Sequence, residues 1–339
     1  MMDEEMIKEI KQSLTAEQAD SDFVVIRGVK HEPVQLSKDG FHQITPADSS
    51  KRILFIDGGN QEVLKTPHVS LQFIRLYYTI YQNNKRIDNK KTEFYALVKL
   101  KTDQSKEQIA QVRIFGSDII PSTEFNLKEF DSEVNLSKIG SLVRRLAEIK
   151  TAELACDNTD IIVLDGTLFA PTKAEQEYIN TLRSSASQNN VLITALSKTS
   201  HLVTDSGQAV ASAVARIKPE AGCWYYHPLA EIKDPRYCAE LYLAMLDPKA
   251  AHIFLIELQK SDHPTNAAEL FSILRMNSTD PVFRGYPYGL IEADRFARVS
   301  DKEKGQLRMI LMAKAGESWK PILEAENPLN AHSVLDNIL

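Results

Sequence analysis

The chain has 339 residues, 43% hydrophobic and 25% charged, a globular mix that excludes global disorder. No apolar run approaches the roughly 18 residues of a membrane span, and three scattered cysteines (Cys156, Cys223, Cys238) exclude a CxxC zinc ribbon or a disulfide framework. Forty basic against 46 acidic residues give a net charge of −6, so any grip on nucleic acid must come from local patches or metal ions. Met1 to Ile10 is charged and lacks a signal-peptide apolar core, so a cytoplasmic protein without membrane contact is expected.

Residues 3–19 read as a short amphipathic helix, and Asp22–Arg27 and Pro33–Leu36 as short strands. Residues 1–50 are taken as an N-terminal extension and 51–339 as the main domain. Arg52–Ile56 is a buried apolar strand, with a tight turn expected at Asp57-Gly58-Gly59. Leu71–Tyr81 and Glu93–Leu100 read as a hairpin joined by the polar, basic segment Asn83–Thr92. Leu136–Ala155 is a helix whose apolar stripe is Ile139, Leu142, Val143, Leu146 and Ile149. Asp160–Leu164 is a second buried strand, again ending in Asp165-Gly166. A helix over Thr172–Gln188 and a third buried strand, Val191–Leu196, follow. Ala239–Met245 and His252–Leu258 form another hairpin. Asn266–Met276 and Leu290–Val299 are helices, the latter after a turn at Gly285-Tyr286-Pro287-Tyr288.

An antiparallel meander followed by strands alternating with helices implies a mixed α/β sheet covered on both faces, the order of a ribonuclease H-like fold with extra C-terminal helices. Fold order does not give function. The two Asp-Gly dipeptides do suggest chemistry. If their strands are neighbours, Asp57 and Asp165 emerge together where open α/β sheets bind ligands. Converging carboxylates repel unless a cation neutralises them, and Mg²⁺ or Mn²⁺ suits an all-oxygen site. The competing reading is that Asp-Gly is ordinary turn chemistry. Asp294 falls on the less polar face of its helix, and the spacing favours a salt bridge to Arg298 over a metal. Glu148 lies roughly opposite the stripe of its helix, so periodicity favours a solvated glutamate. Its small neighbours Ser141, Ala152 and Ala155 leave open a face packed on the sheet.

Four segments in this order resemble the NurA nuclease family across roughly 51–304: Phe55-Ile56-Asp57-Gly58; Arg144-Arg145-Leu146-Ala147-Glu148 followed by Asp165-Gly166-Thr167-Leu168; Leu196-Ser197-Lys198-Thr199-Ser200; and Gly285-Tyr286-Pro287-Tyr288 leading to Asp294. The resemblance implies a metal-dependent DNA nuclease in which Asp57, Glu148, Asp165 and Asp294 hold one or two Mn²⁺ or Mg²⁺ ions. Lys198 would neutralise phosphate charge, and Tyr286 would position the nucleophile or bind phosphate. Their plainer readings are a solvated loop lysine and an aromatic packed under a proline turn. The family implies 5′-to-3′ exonuclease and single-strand endonuclease activity in DNA-end resection, a homodimer, and a hexameric HerA-type ATPase that grips the DNA.

Departures from the family pattern are Gly59 for a serine, Gly289 for a proline that would tighten a turn, and Asp294 where histidine is common. The last implies a retained metal with altered preference. Residues 1–50 and the stripe Leu307, Ile310, Leu311 are expected contact surfaces. The basic run Lys85-Arg86…Lys90-Lys91 is either a DNA or ATPase contact or a solvated hairpin tip. No HxH, HExxH or GxxxxGK[ST] is present, which excludes a zinc hydrolase of that kind and a P-loop ATPase. A non-catalytic scaffold docked on the ATPase is the alternative. A sugar-kinase-like phosphotransferase, which uses related Asp-Gly turns, needs two such domains and lacks room here.

Overall fold

In the computed structural model, which describes residues 4–14, 22–102, 104–130, 135–200, 202–260 and 267–326, the chain opens with helix α1 (Glu4–Leu14). The outer parts of the helix expected over 3–19 lie outside the described residues. Three short strands follow: β1 (Val24–Val25), β2 (His31–Pro33) and β3 (Phe41–Gln43). Then comes a five-stranded antiparallel meander: β4 (Ile53–Lys65), β5 (Val69–Gln82), β6 (Lys85–Thr102), β7 (Gln108–Phe115) and β8 (Thr123–Asn126).

The alternating part begins with helix α2 (Leu136–Leu154), β9 (Ile161–Asp165), α3 (Lys173–Gln188) and β10 (Leu192–Ser197). After β11 (Val203–Thr204), α4 (Val210–Ile217), β12 (Trp224–Tyr226) and β13 (Ala230–Ile232) comes the hairpin β14 (Ala239–Met245) and β15 (Phe254–Gln259). Helices α5 (Ala267–Met276), α6 (Tyr288–Ala297) and α7 (Asp301–Ala315) follow, and residues 319–326 end the described chain as helix. Asn266, expected to begin α5, lies outside the described residues.

Eleven strands form one mixed sheet in the order β3-β12-β14-β15-β10-β9-β4-β5-β6-β7-β8. Its centre, β10-β9-β4, is parallel. Period-two alternation then divides the side chains. Leu54 and Ile56 of β4 and Ile162 and Leu164 of β9 join the core that includes Ile149 of α2 and Ile179 and Leu182 of α3. Ile53 and Phe55, with Ile161 and Val163, join the opposite core, with Phe271 of α5 and Leu290 of α6. Helices on both faces explain why these strands are apolar throughout. The stripe of α2 is buried as its spacing predicts, and Thr172 caps α3 with a full capping box to Glu175.

Residues before 51 are hydrogen-bonded to distant elements. β1 pairs with β11, β2 with β13, and β3 with β12 at the sheet edge. Among the described residues, no helix is long and apolar enough to cross a membrane. Helix α7 lies against the meander through Leu307 and Leu311, which pack near Val63 and Phe73, while Met309 and Ile310 face outward. The contact stripe expected from Leu307, Ile310 and Leu311 is therefore split between two faces.

Two expectations are corrected. β4 does not stop at Asp57: it runs on to Lys65, paired with β5 through Asp57↔Tyr77, Gly58↔Leu76 and Gly59↔Arg75. The hairpin loop is only Asn83-Asn84, both at positive φ, as a tight β-turn between twisted strands requires. The basic segment that follows is thus strand β6, not loop. Of its cations, Arg86 pairs with Glu292 at 2.8 Å and Lys91 with Glu93 at 3.0 Å.

Candidate metal centre

The parallel ladder between β4 and β9 ends at Ile56↔Leu164. Asp57 and Asp165 are the next residue on each strand, so the gap opens where both carboxylates stand. By alternation both follow Phe55 and Val163 onto the α5–α6 face of the sheet. Lys198, just beyond β10, shares that face with Leu196. Asp294 comes down from α6. One carboxylate oxygen each of Asp57, Asp165 and Asp294 lies within 4.8 Å of the others. Lys198 Nζ sits among them, 2.7 Å from Asp165 Oδ2 and 2.6 Å from Asp294 Oδ1.

Asp294 corrects its expected role. Ala293 and Ala297 take the buried positions of α6, so Asp294 is left half-exposed. Its carboxylate meets Lys198 and not Arg298. The helix ends at Ala297, and Arg298 turns extended, so helical i,i+4 spacing no longer applies. Its backbone N–H still donates to the Asp294 carbonyl at 3.0 Å. The Tyr286 ring is buried against Phe254 and Phe283, and its hydroxyl donates toward Asp165 Oδ2 at 3.4 Å.

Glu148 is buried, not solvated, but it approaches from the other face of the sheet. It is ion-paired with Arg144, which also donates to the Gly58 carbonyl at 2.8 Å and lies 4.0 Å from Asp57. Three of the four expected acidic ligands converge, and Glu148 stands behind Gly58. The glycines explain themselves here. A Cβ on Gly58 would run into Glu148 Oε1, and one on Gly59 would run into the Ala297 carbonyl. They admit α2 on one side and α6 on the other, and they make no turn. Gly289 likewise lies inside α6 against the Phe55 ring, not in a loosened turn. Gly166, at φ +117°, is the true turn glycine.

Sequence reasoning missed the support for that turn. Glu257, fully buried on β15, accepts from the Thr167 hydroxyl at 3.0 Å and the Leu168 N–H at 2.6 Å, and Arg145 donates to the Thr167 carbonyl. A lone glutamate inside the apolar run of β15 was the available signal. Also missed was Glu292, which receives the hydroxyls of Tyr77 and Tyr81 together with Arg86 and so ties α6 to the β5–β6 hairpin.

The electrostatics are those of a site short of positive charge. Burial, then the charges of Asp165 and Glu148, push the Asp57 carboxyl up to about 8, against Lys198 and Arg144. Burial disfavours the charged form of Lys198, but its bond to Asp165 and then to Asp294 more than compensates, raising its pKa. A cleft of ≈ 260 Å³ opens beside these groups, lined by Asp57, Gly59, Asn60, Asp294 and Arg298. An all-oxygen donor set with its charges imperfectly balanced fits a hard divalent cation.

The pH dependence of stability follows. Between pH ~4 and ~8 the folded chain holds a proton on Asp57 that the unfolded chain has released. That contribution is complete below the unfolded pKa and is lost as pH rises through about 8. Chelator-treated protein should melt at a higher temperature at pH 5.5 than at pH 8.5, and Asp57→Asn should shrink the difference. Calorimetric melting at the two pH values checks this.

A mixed sheet with carboxylates gathered at its parallel centre defines a ribonuclease H-like protein. Residues 51–299 match the model of the NurA domain family, and the chain belongs to that family of nucleases. The crystal structure of the NurA nuclease from Sulfolobus solfataricus superposes with a TM-score of 0.55 at 14% identity, over 92% of this chain and 93% of that one. Endonuclease V of Ciona intestinalis, bound to an inosine-containing 24mer DNA, gives 0.38 at 12% identity, over 79% and 92%. The catalytic domain of human Endonuclease V gives 0.37 at 8%, over 79% and 92%. No curated protein sequence matches the chain.

Proposed function

We propose that this chain is a divalent-metal-dependent deoxyribonuclease acting on DNA ends, 5′ to 3′, and within single strands. The observation that carries the reading is the convergence of Asp57, Asp165 and Asp294 around Lys198 at the open end of the β4–β9 ladder. Asp57, Asp165 and Asp294 would hold Mn²⁺ or Mg²⁺, with the Glu148–Arg144 ion pair behind Asp57. A bound divalent ion supplies an activated water and charge neutralisation for phosphoryl chemistry. Tyr286 fixes the Asp165 carboxylate through its hydroxyl. Lys198 has the reach and exposure to meet a phosphate entering the cleft. Glu257 holds the turn that carries Asp165. Cleavage of end-labelled DNA with Mn²⁺, abolished by EDTA and indifferent to ATP, tests the reading. A scaffold docked on an ATPase would cut nothing, and the carboxylate convergence has no purpose in one.

The same reading includes a homodimer working with a hexameric HerA-type ATPase in end resection. This is supported by family membership and by a net charge of −6, which leaves DNA grip to a partner. The outward apolar residues of α1 and α7, among them Ile7, Met309 and Ile310, are the contact surfaces it would use.

Asp294 offers a sharp test. Its ion pair is half-exposed, and such pairs contribute about 0–1 kcal/mol to stability. Asp294→Ala should therefore melt within a few degrees of the parent yet cut at least about a hundredfold more slowly, as loss of one charge-stabilising group entails. Asp294→His should keep activity with Mn²⁺ and lose more with Mg²⁺, because imidazole is a poorer ligand for the harder ion. Early melting of Asp294→Ala with normal cutting at low temperature would reduce Asp294 to a salt-bridge partner.

A further inference from the structure

We infer that Lys198 is a built-in counterion that occupies the metal-binding position and must be displaced when a divalent ion binds. The inference rests on the metal-centre reading above and concerns what the lysine does before the ion arrives. Of the three converging carboxylates, two already commit an oxygen to its ammonium group, at 2.7 Å and 2.6 Å. No second cation reaches Asp165 or Asp294 within ion-pair distance among the described residues. Arg144 serves Glu148 and the Gly58 carbonyl behind the strand, and Arg298 lines the cleft without a carboxylate partner among the described residues.

Lys198 is also free to leave. It sits just past the last residue of β10, its side chain is 39% exposed, and the Tyr286 ring 6.0 Å from its Nζ offers a second, weaker seat for the charge. A lysine that were only structural would have no reason to sit on the ligands themselves. Displacement gives the side chain a sequence of two partners. It neutralises Asp165 and Asp294 in the metal-free protein, and it is released to a phosphate when the ion takes its place. The site is thereby stable without metal, and its metal affinity is correspondingly weaker.

The test is Mn²⁺ binding to the full chain without DNA, by titration calorimetry, with melting temperatures in chelator and in Mn²⁺. Lys198→Met should bind Mn²⁺ about tenfold more tightly, the order expected when two half-exposed ion pairs no longer compete. It should melt lower than the parent in chelator and regain more on adding Mn²⁺. Arg298→Met removes a nearby charge that is not on the ligands and should change affinity less than about threefold, which separates displacement from general electrostatics. Unchanged or weaker Mn²⁺ binding by Lys198→Met, or an equal gain in Arg298→Met, overturns the inference while the metal centre stands. A parent protein that binds no Mn²⁺, and an Asp165→Asn variant that behaves identically, overturns the metal-centre reading and this inference with it.

Discussion

Asp165→Asn will cut DNA at least about a thousandfold more slowly than the parent, and Asp57→Asn will do the same, with both proteins folded. Three decades correspond to about 4 kcal/mol of transition-state stabilisation, within what a charged group at a phosphoryl-transfer site supplies. Stability should follow a different course. Each of these carboxylates crowds the other two, so turning one into an amide relieves repulsion while keeping the shape of the side chain, which in Asp165→Asn offsets the loss of the half-exposed Lys198 pair. In the Asp165→Asn variant the new amide can still accept from the Tyr286 hydroxyl through its carbonyl oxygen. Melting within a few degrees of the parent, or slightly above it in chelator, is the expected companion of lost activity. Single-turnover cleavage at saturating Mn²⁺ together with melting curves measures both. Digestion within tenfold of the parent by either variant would remove the residue from the chemistry.

Gly59→Ala should cost about 2 kcal/mol of stability, as overpacking a tight contact does, and most of the activity with it. The added Cβ would collide with the Ala297 carbonyl, and both partners are backbone, so no side chain can turn away. Helix α6 must retreat from β4, taking Asp294 with it and loosening the pocket around Tyr286. A serine at this position would meet the same obstacle, so α6 and β4 are packed more closely than a Cβ permits. Gly305→Ala is the control. It lies in α7 with open space around it, and the better helix former should raise stability by about 0.5–1 kcal/mol. If Gly59→Ala melts and cuts like the parent, the α6–β4 contact does not position Asp294.

How much was legible beforehand depended on whether the signal was local. The α2 stripe, the buried strands β9 and β10 and the β14–β15 hairpin could be read because periodicity and length are properties of a short window. Asp57-Gly58-Gly59 was misread as a turn because the same dipeptide that turns a chain also admits close neighbours. Those neighbours, Glu148 and Ala297, are remote in the sequence. The basic stretch after Asn84 looked like loop because this first part of β6 is exposed and keeps its charges in water or in pairs with Glu292 and Glu93. Glu148 and Asp294 exchanged environments with their expectations: one is buried with a counterion, the other sits at the surface. A helix pattern gives the face of a residue but not the depth of what covers it. Glu257 left only a faint mark, one acid in an apolar strand, and its partners on the Asp165 turn emerge only in three dimensions.

That β4 continues past Asp57 divides the site into a stationary half and an adjustable half. Asp57 stands mid-strand, its backbone held in register with Tyr77 and its flanks gripped by two helices. Asp294 is held on α6, which packs on β4 and is tied to the β5–β6 hairpin through Glu292, whereas Lys198 sits on the loop after β10. A phosphate entering the site would meet carboxylates held in place and one ammonium group that can follow it. On the proposed reading alignment would be referred to the carboxylates, like work clamped against a fixed jaw, and adjustment would fall to the Lys198 loop.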